Sequence, residues 1–186
     1  MPVSVGFDLE RFVDECRRAA AGSDGIQGVC ALMTAAVSDA RGIAARLGEP
    51  CAGVRPLHRS AELTVIDFAW APWMTFKPHN HNMWAVIGIV SGREDNIFWR
   101  RIPASIEAAG ARTLGPGDVT TLGRDIIHSV VNPLGRMTRA IHVYGGDFFE
   151  PTEARSEWDP ETLAERPWDM DDTRRLFADA EARARI

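Results

Sequence analysis

The sequence predicts a mainly β chain, a barrel or sandwich of short strands with helices ahead of it. Helical periodicity is confined to residues 1–47 and the C-terminal end. Between them, short apolar runs are cut by Gly and Pro turns, the pattern of antiparallel β structure. With 186 residues, 45% hydrophobic and 25% charged, the chain has enough apolar surface for one core of ordinary size. No internal repeat or low-complexity tract argues for more than one domain. That domain divides into a helical N-terminal cap (1–47), a β-barrel core (55–147) and a C-terminal loop and helix (148–186).

Taken in order, Leu9, Phe12, Val13, Cys16 and Ala20 recur at helical spacing from Asp8 to Ala21, with Arg17 and Arg18 in the later turns, where the helix dipole favours cations. Gly22-Ser23-Asp24-Gly25 breaks this helix, and a second is predicted from about Ile26 to Leu47, ending at Gly48 and Pro50. Both are read as packing on the outside of the barrel. Gly48 to Leu57 reads as a connector. Ala61 to Trp70 alternates as a half-buried strand, and Met74 to Lys77 leads into the histidine-rich stretch that follows Pro78. Trp84 to Val90 reads as a fully buried strand. Further strands are predicted at Asn96–Arg101, Ser105–Leu114, Val119–Leu122, His128–Val131 and Met137–Val143. Beyond Tyr144 the chain is polar and irregular until a final helix from Thr173 to Arg185.

Composition narrows the function classes. A net charge of −5 argues against a nucleic-acid partner. The N-terminal residues lack a basic region followed by an apolar one, and no apolar run approaches the length of a membrane span, so a cytoplasmic location without membrane association is expected. Cys16, Cys30 and Cys51 form no CxxC pair, which fits a reducing compartment, and each reads as a buried small hydrophobe.

The chemistry concentrates in Pro78-His79-Asn80-His81-Asn82-Met83-Trp84. On a strand, His79 and His81 project from one face, and two neutral nitrogen donors on one face can chelate a metal. His128, in a second strand-like run opened by turn glycines, offers a third. A lone strand histidine is usually a core residue, but three in this arrangement form a metal site candidate. Imidazole suits iron, copper, nickel and zinc alike, so spacing alone does not choose the metal. His58, in an arginine-flanked segment, reads as a surface residue. Alternation also puts Ala140, His142 and Tyr144 on one strand face, where imidazole and phenol can meet in one pocket, or simply pack and share a hydrogen bond.

These stretches resemble the two cupin motifs: His79-x-His81 followed by Gly92, and Gly117 to His128 to Asn132, with Gly123 and Asp125 where proline and glycine are usual. The resemblance implies a double-stranded β-helix barrel with a metal at one mouth. Ala85 or Val86 stands where the four-ligand motif has glutamate, which implies three histidines and no carboxylate. That variant is typical of the cysteine dioxygenase family of Fe(II) thiol dioxygenases. Ala140-x-His142-x-Tyr144 is similar to that family's Ser-x-His-x-Tyr relay, with the serine replaced. No cysteine lies between Asn82 and Val90 to cross-link the tyrosine. His-x-His-x-x-Trp with a later glycine is closer to the bacterial branch that includes 3-mercaptopropionate dioxygenase, although Asn82-Met83 replace its Gly-Thr. The resemblance covers roughly residues 55–158.

By that resemblance, His142 and Tyr144 are the catalytic pair beside an Fe(II) on His79, His81 and His128, and a small thiol is oxidised to its sulfinate with O2. Arg155 leads as the cation for a substrate carboxylate, ahead of Arg100 and Arg101; the alternative is a solvated arginine paired with Glu153 or Glu157. Met83 and Trp84 are assigned to the substrate pocket, Met83 with the alternative of filling core. The expected partners are a small-molecule substrate and O2, in a monomer or homo-oligomer. Two rivals stand beside this reading: a three-His cupin oxygenase cleaving a carbon–carbon bond of a diketone-like compound, and a non-catalytic cupin that binds a metal or small ligand.

Overall fold

The structure, a computed structural model, describes residues 6–23 and 25–185. The leader reading of residues 1–5, and Asp24 in the predicted helix break, lie outside the described residues. Helix α1 (Leu9–Ala21) opens on Asp8, whose carboxylate accepts from the Arg11 amide, and ends where the Gly22 amide turns back to the Ala19 carbonyl. The single second helix expected from the sequence is two helices, α2 (Gly25–Val37) and α3 (Ala40–Leu47), bent by 83°. The cause is a cap inside the run: the Asp39 side chain accepts from the Gly42 amide at 2.9 Å and starts a new helix.

Eleven strands follow among the described residues: β1 (Gly53–Arg59), β2 (Thr64–Trp70), β3 (Thr75–Asn80), β4 (Ala85–Ser91), β5 (Glu94–Ile102), β6 (Ser105–Leu114), β7 (Val119–Leu122), β8 (Ile127–Val131), β9 (Thr138–Tyr144), β10 (Ser156–Trp158) and β11 (Glu165–Pro167). Helix α4 (Met170–Ala184) closes the chain. The strands form two antiparallel sheets, ordered β1-β2-β9-β4-β7 and β11-β10-β3-β8-β5-β6. Sequence neighbours such as β3 and β4 fall in different sheets, so the chain winds between the two. The result is a cupin double-stranded β-helix, with Ile66, Phe68, Trp70, Phe76, Ile87, Ile89, Val130 and Ala140 filling the space between the sheets.

Strands β2, β4 and β9 are buried on both faces, because the helical cap covers the side turned away from the barrel. There Val65, Val86, Val90, Ile141 and Val143 meet Phe12, Val29, Met33 and Ile43. This makes β2 fully buried where alternation predicted a half-buried strand. Close approach of α2 requires Gly88, since a Cβ there would sit 2.6 Å from the Met33 side chain. A buried ion pair links cap and barrel. Arg139, only 2% exposed, binds Asp67 at 2.7 Å and the Gly48 carbonyl at 2.7 Å, and Arg55 joins Asp67 to the Leu47 carbonyl.

Four other expectations are corrected. Part of the expected connector is strand β1, an edge strand whose Pro56 and irregular register obscure its alternation. Past Tyr144 the chain is not wholly irregular: β10 and β11 extend the second sheet, and Glu157 pairs with His79 of β3. Of the three free cysteines only Cys16 is buried; Cys30 is partly buried and Cys51 exposed. His58 is half-buried, and burial lowers its pKa.

Candidate metal centre

His79 reaches the barrel interior through an irregularity. Strict alternation would put Phe76 and His79 on opposite faces, but the β3–β8 register shifts between them, across Lys77-Pro78, and both side chains turn inward. His79 is then directly opposite His128 of β8. His81 lies just beyond the end of β3 and is followed by Asn82 at a φ of 52°, a left-handed turn that asparagine tolerates. The Asn82 side chain donates to the Ala154 carbonyl at 2.6 Å, which pins the later loop over this turn.

The three rings converge. His79, His81 and His128 are all buried, and one ring nitrogen of each lies within 4.8 Å of the others, which makes the cluster a candidate metal site. His79 Nδ1 donates to the Lys77 carbonyl and His128 Nδ1 to Asn96 Oδ1, both at 2.9 Å. These bonds fix the protons on Nδ1 and leave Nε2 of each ring as a lone pair. His79 Nε2 is 3.1 Å from His81 Nε2, and His128 Nε2 is buried with no hydrogen-bond partner among the described residues. Orientation by outward hydrogen bonds, with bare nitrogens turned to a common point, is what metal-binding histidines need. Burial holds the His79 pKa down to about 3 and those of His81 and His128 well below the usual range, with the Arg155 charge adding to the effect on His79 and His81. The rings are therefore neutral near pH 7 and free to donate. The donor set fits a metal ion, and no carboxylate belongs to it.

The opposite wall comes from the other sheet. His142 and Tyr144 of β9 face the histidines; Tyr144 Oη and His142 Nδ1 are 2.9 Å apart, and the phenol ring packs edge-on against His81. Burial raises the Tyr144 pKa well above its usual value, so the phenol stays protonated. Phe68, Trp70, Phe76, Val130, Phe148 and Trp168 complete an aromatic cavity of about 10 Å³, roughly the room of one water.

Arg155 is drawn toward this site instead of into solvent. It is 8% exposed, and its guanidinium stacks on Trp168 at 4.2 Å and Phe148 at 4.7 Å, two rings of the cavity wall. The carboxylates proposed as its partners are engaged elsewhere, Glu153 with Arg124 and Glu157 with Lys77 and Arg166. Its Nη1 is buried without a hydrogen-bond partner among the described residues, and burial lowers its pKa to about 10. Arg100 and Arg101 pair with Glu107 and Glu165 at the surface. Met83 and Trp84 do not line the histidine cavity. They border a separate, wider cleft of about 420 Å³ with Asn82, Arg124 and Glu153, while Met83 also packs into the barrel core.

Two buried residues of the site escaped the sequence reading. Asn96 orients His128, and Glu94, fully buried, accepts from the Trp70 indole at 2.6 Å and lies 3.7 Å from His142 Nε2. The signal available was alternation: Glu94, Asn96 and Phe98 share a face of β5, and Phe98 packs on the core.

No family model matches the chain. Among solved structures, a Bacillus halodurans protein is 14% identical, covering 56% of this chain and 77% of its own, with a TM-score of 0.50. An RmlC-like cupin family protein with a double-stranded β-helix fold from Methanocaldococcus jannaschii is 10% identical (55% and 86% covered, TM-score 0.46). An uncharacterized conserved protein with a double-stranded β-helix domain from Klebsiella pneumoniae is 15% identical (66% and 86%, TM-score 0.42). The first likeness is one of fold, and the two weaker ones add nothing to it.

Proposed function

We propose that the protein is a non-haem Fe(II) dioxygenase that converts a small acidic thiol to its sulfinate, R–SH + O2 → R–SO2H, both oxygen atoms passing to sulfur. The observation that carries this reading is the pairing of a neutral three-histidine donor set with a buried arginine whose Nη1 has no hydrogen-bond partner among the described residues. Held by His79, His81 and His128, Fe(II) would supply a redox-active Lewis acid at which thiolate and O2 can meet, the electrons that reduce O2 coming from the sulfur. The three neutral imidazoles, with no carboxylate among them, would leave a bound cation's charge uncompensated and so favour an anionic sulfur.

The remaining work belongs to the chain's own groups. Arg155 binds the substrate carboxylate, because a carboxylate brought into this aromatic pocket must meet a cation. Phe148 and Trp168, whose rings meet at nearly a right angle, pack on the guanidinium and hold it in place. Tyr144 hydrogen-bonds the reacting group and His142 orients the phenol. A cavity with room for only one water implies that the 148–168 segment, which carries Arg155 and Trp168, shifts to admit substrate.

The aromatic lining of the cavity also favours a second reading, oxygenative cleavage of an apolar diketone-like compound. Oxygen uptake by iron-loaded protein separates the two. Consumption of about one O2 per thiol with sulfinate formed, and none with diketones, supports the thiol reading. Uptake with diketones alone would replace it, and no uptake with either would favour a non-catalytic metal-binding cupin.

A further inference from the structure

We propose that Glu94 is a positioning residue that fixes the proton of His142 on Nε2. Nδ1 then accepts from the Tyr144 hydroxyl, and the phenol turns its oxygen lone pairs toward the three histidines. Ala140, two residues back on the same face of β9, offers His142 no hydroxyl. The structure brings a carboxylate there from the other sheet. Glu94 of β5 is 0% exposed, its Oε1 lies 3.7 Å from His142 Nε2, and that contact is less than ~1 Å beyond hydrogen-bond distance.

Both His142 Nε2 and Glu94 Oε2 are buried with no hydrogen-bond partner among the described residues. A bare Nε2 lone pair turned to the Glu94 carboxylate is costly, and an Nε2–H turned to it is favourable. An ionised carboxylate only accepts, so the proton belongs on Nε2. The far side of the ring can adapt, because a hydroxyl donates or accepts. The Tyr144 hydroxyl, 2.9 Å from Nδ1, therefore becomes the donor. Rotation of the imidazole out of this line is blocked by Phe68, whose ring lies 4.3 Å from it. The opposite arrangement, a protonated Glu94 donating to a bare Nε2, would make Tyr144 the acceptor and free its proton for the cavity.

The bearing of this on turnover rests on the oxygenase reading, whereas the tautomer does not. The test is nitrogen NMR of protein labelled at histidine, recorded metal-free and with zinc as a diamagnetic probe, with His142→Asn identifying the signal. In the native protein, Nε2 of His142 should resonate in the protonated range and Nδ1 in the unprotonated one. Glu94→Leu, which removes the acceptor beside the ring, should abolish this preference and shift the ring toward a mixture of tautomers. A bare Nε2 in the native protein, or a ring unchanged by Glu94→Leu, would overturn the assignment. If Glu94→Leu does not fold, the native spectrum alone decides. Failure to take up zinc would count against the metal reading and leave the tautomer legible in the metal-free spectrum.

Discussion

At the scale of single residues, the proposed reaction assigns the substrate contacts to Tyr144 and Arg155, and each can be substituted without changing one of the three histidines. Tyr144 contributes one hydroxyl, bonded to His142 and facing the cavity. Tyr144→Phe should retain metal and fold while turnover falls about 10- to 1000-fold, the usual size for a lost hydrogen-bonding group at a reacting centre. Steady-state oxygen consumption beside metal analysis checks it; unchanged turnover would reduce the pair to packing. Arg155 contributes charge, and its buried Nη1, without a hydrogen-bond partner among the described residues, is placed to meet a carboxylate in the proposed reaction. Arg155→Ala should lower kcat/KM for an acidic thiol by about 30- to 1000-fold, a loss of roughly 2–4 kcal/mol. An uncharged thiol of similar size should be affected far less. Equal losses for both would mean that Arg155 holds its loop instead of the substrate.

Among the elements, the 148–168 segment is the one that completes the site, and the fold fastens it at several points. Asn82 holds the Ala154 carbonyl, Arg124 pairs with Glu153, and Lys77 binds both Glu157 and Asp172, tying β10 and α4 to the strand that carries His79. Lys77 and Glu157 are nearly fully buried, so removing the cation strands a carboxylate that Arg166 only partly compensates. Lys77→Met should cost roughly 2–4 kcal/mol in denaturant unfolding and raise KM for an acidic thiol, because Arg155 sits two residues before Glu157. Loss of stability with KM unchanged would show that the clamp serves folding alone.

This segment was also the least legible part of the chain. Strands of three residues have no alternation to read, and β10 gains its place by pairing with His79 across about 80 positions of sequence. Longer strands were read within a few residues because their apolar runs end at Gly and Pro turns. The break between α2 and α3 was hidden because apolar periodicity runs through it while the cause, the Asp39 cap, is a single side chain. Within the site, the histidines announced themselves by type and spacing. Glu94 and Asn96 did not, since a polar residue in a strand is ordinarily read as facing solvent.

For the molecule as a whole, holding three imidazoles neutral in the interior makes stability depend on pH. Their folded-state pKa values lie below the unfolded value, with His79 at about 3, so between roughly pH 6.5 and 3 the unfolded chain binds more protons than the folded one. Stability from this source is fully present above pH 6.5 and is lost as pH falls. Metal-free protein should therefore weaken steadily on acidification from pH 6.5, and His128→Gln should flatten that slope; denaturant titrations at several pH values measure both. Equal slopes for the two proteins would mean that His128 is not held neutral by burial.

Metal binding by the three histidines is tested most directly by the iron content of the native protein beside His79→Ala, His81→Ala and His128→Ala, each loaded anaerobically with Fe(II) and freed of excess. Three inward nitrogens, with no carboxylate joining them among the described residues, leave no spare ligand there to compensate for a lost ring. The native chain should hold about one iron, and each variant should lose most of it while keeping its barrel, as judged by circular dichroism. Full iron retained by two of the three variants would contradict the assignment.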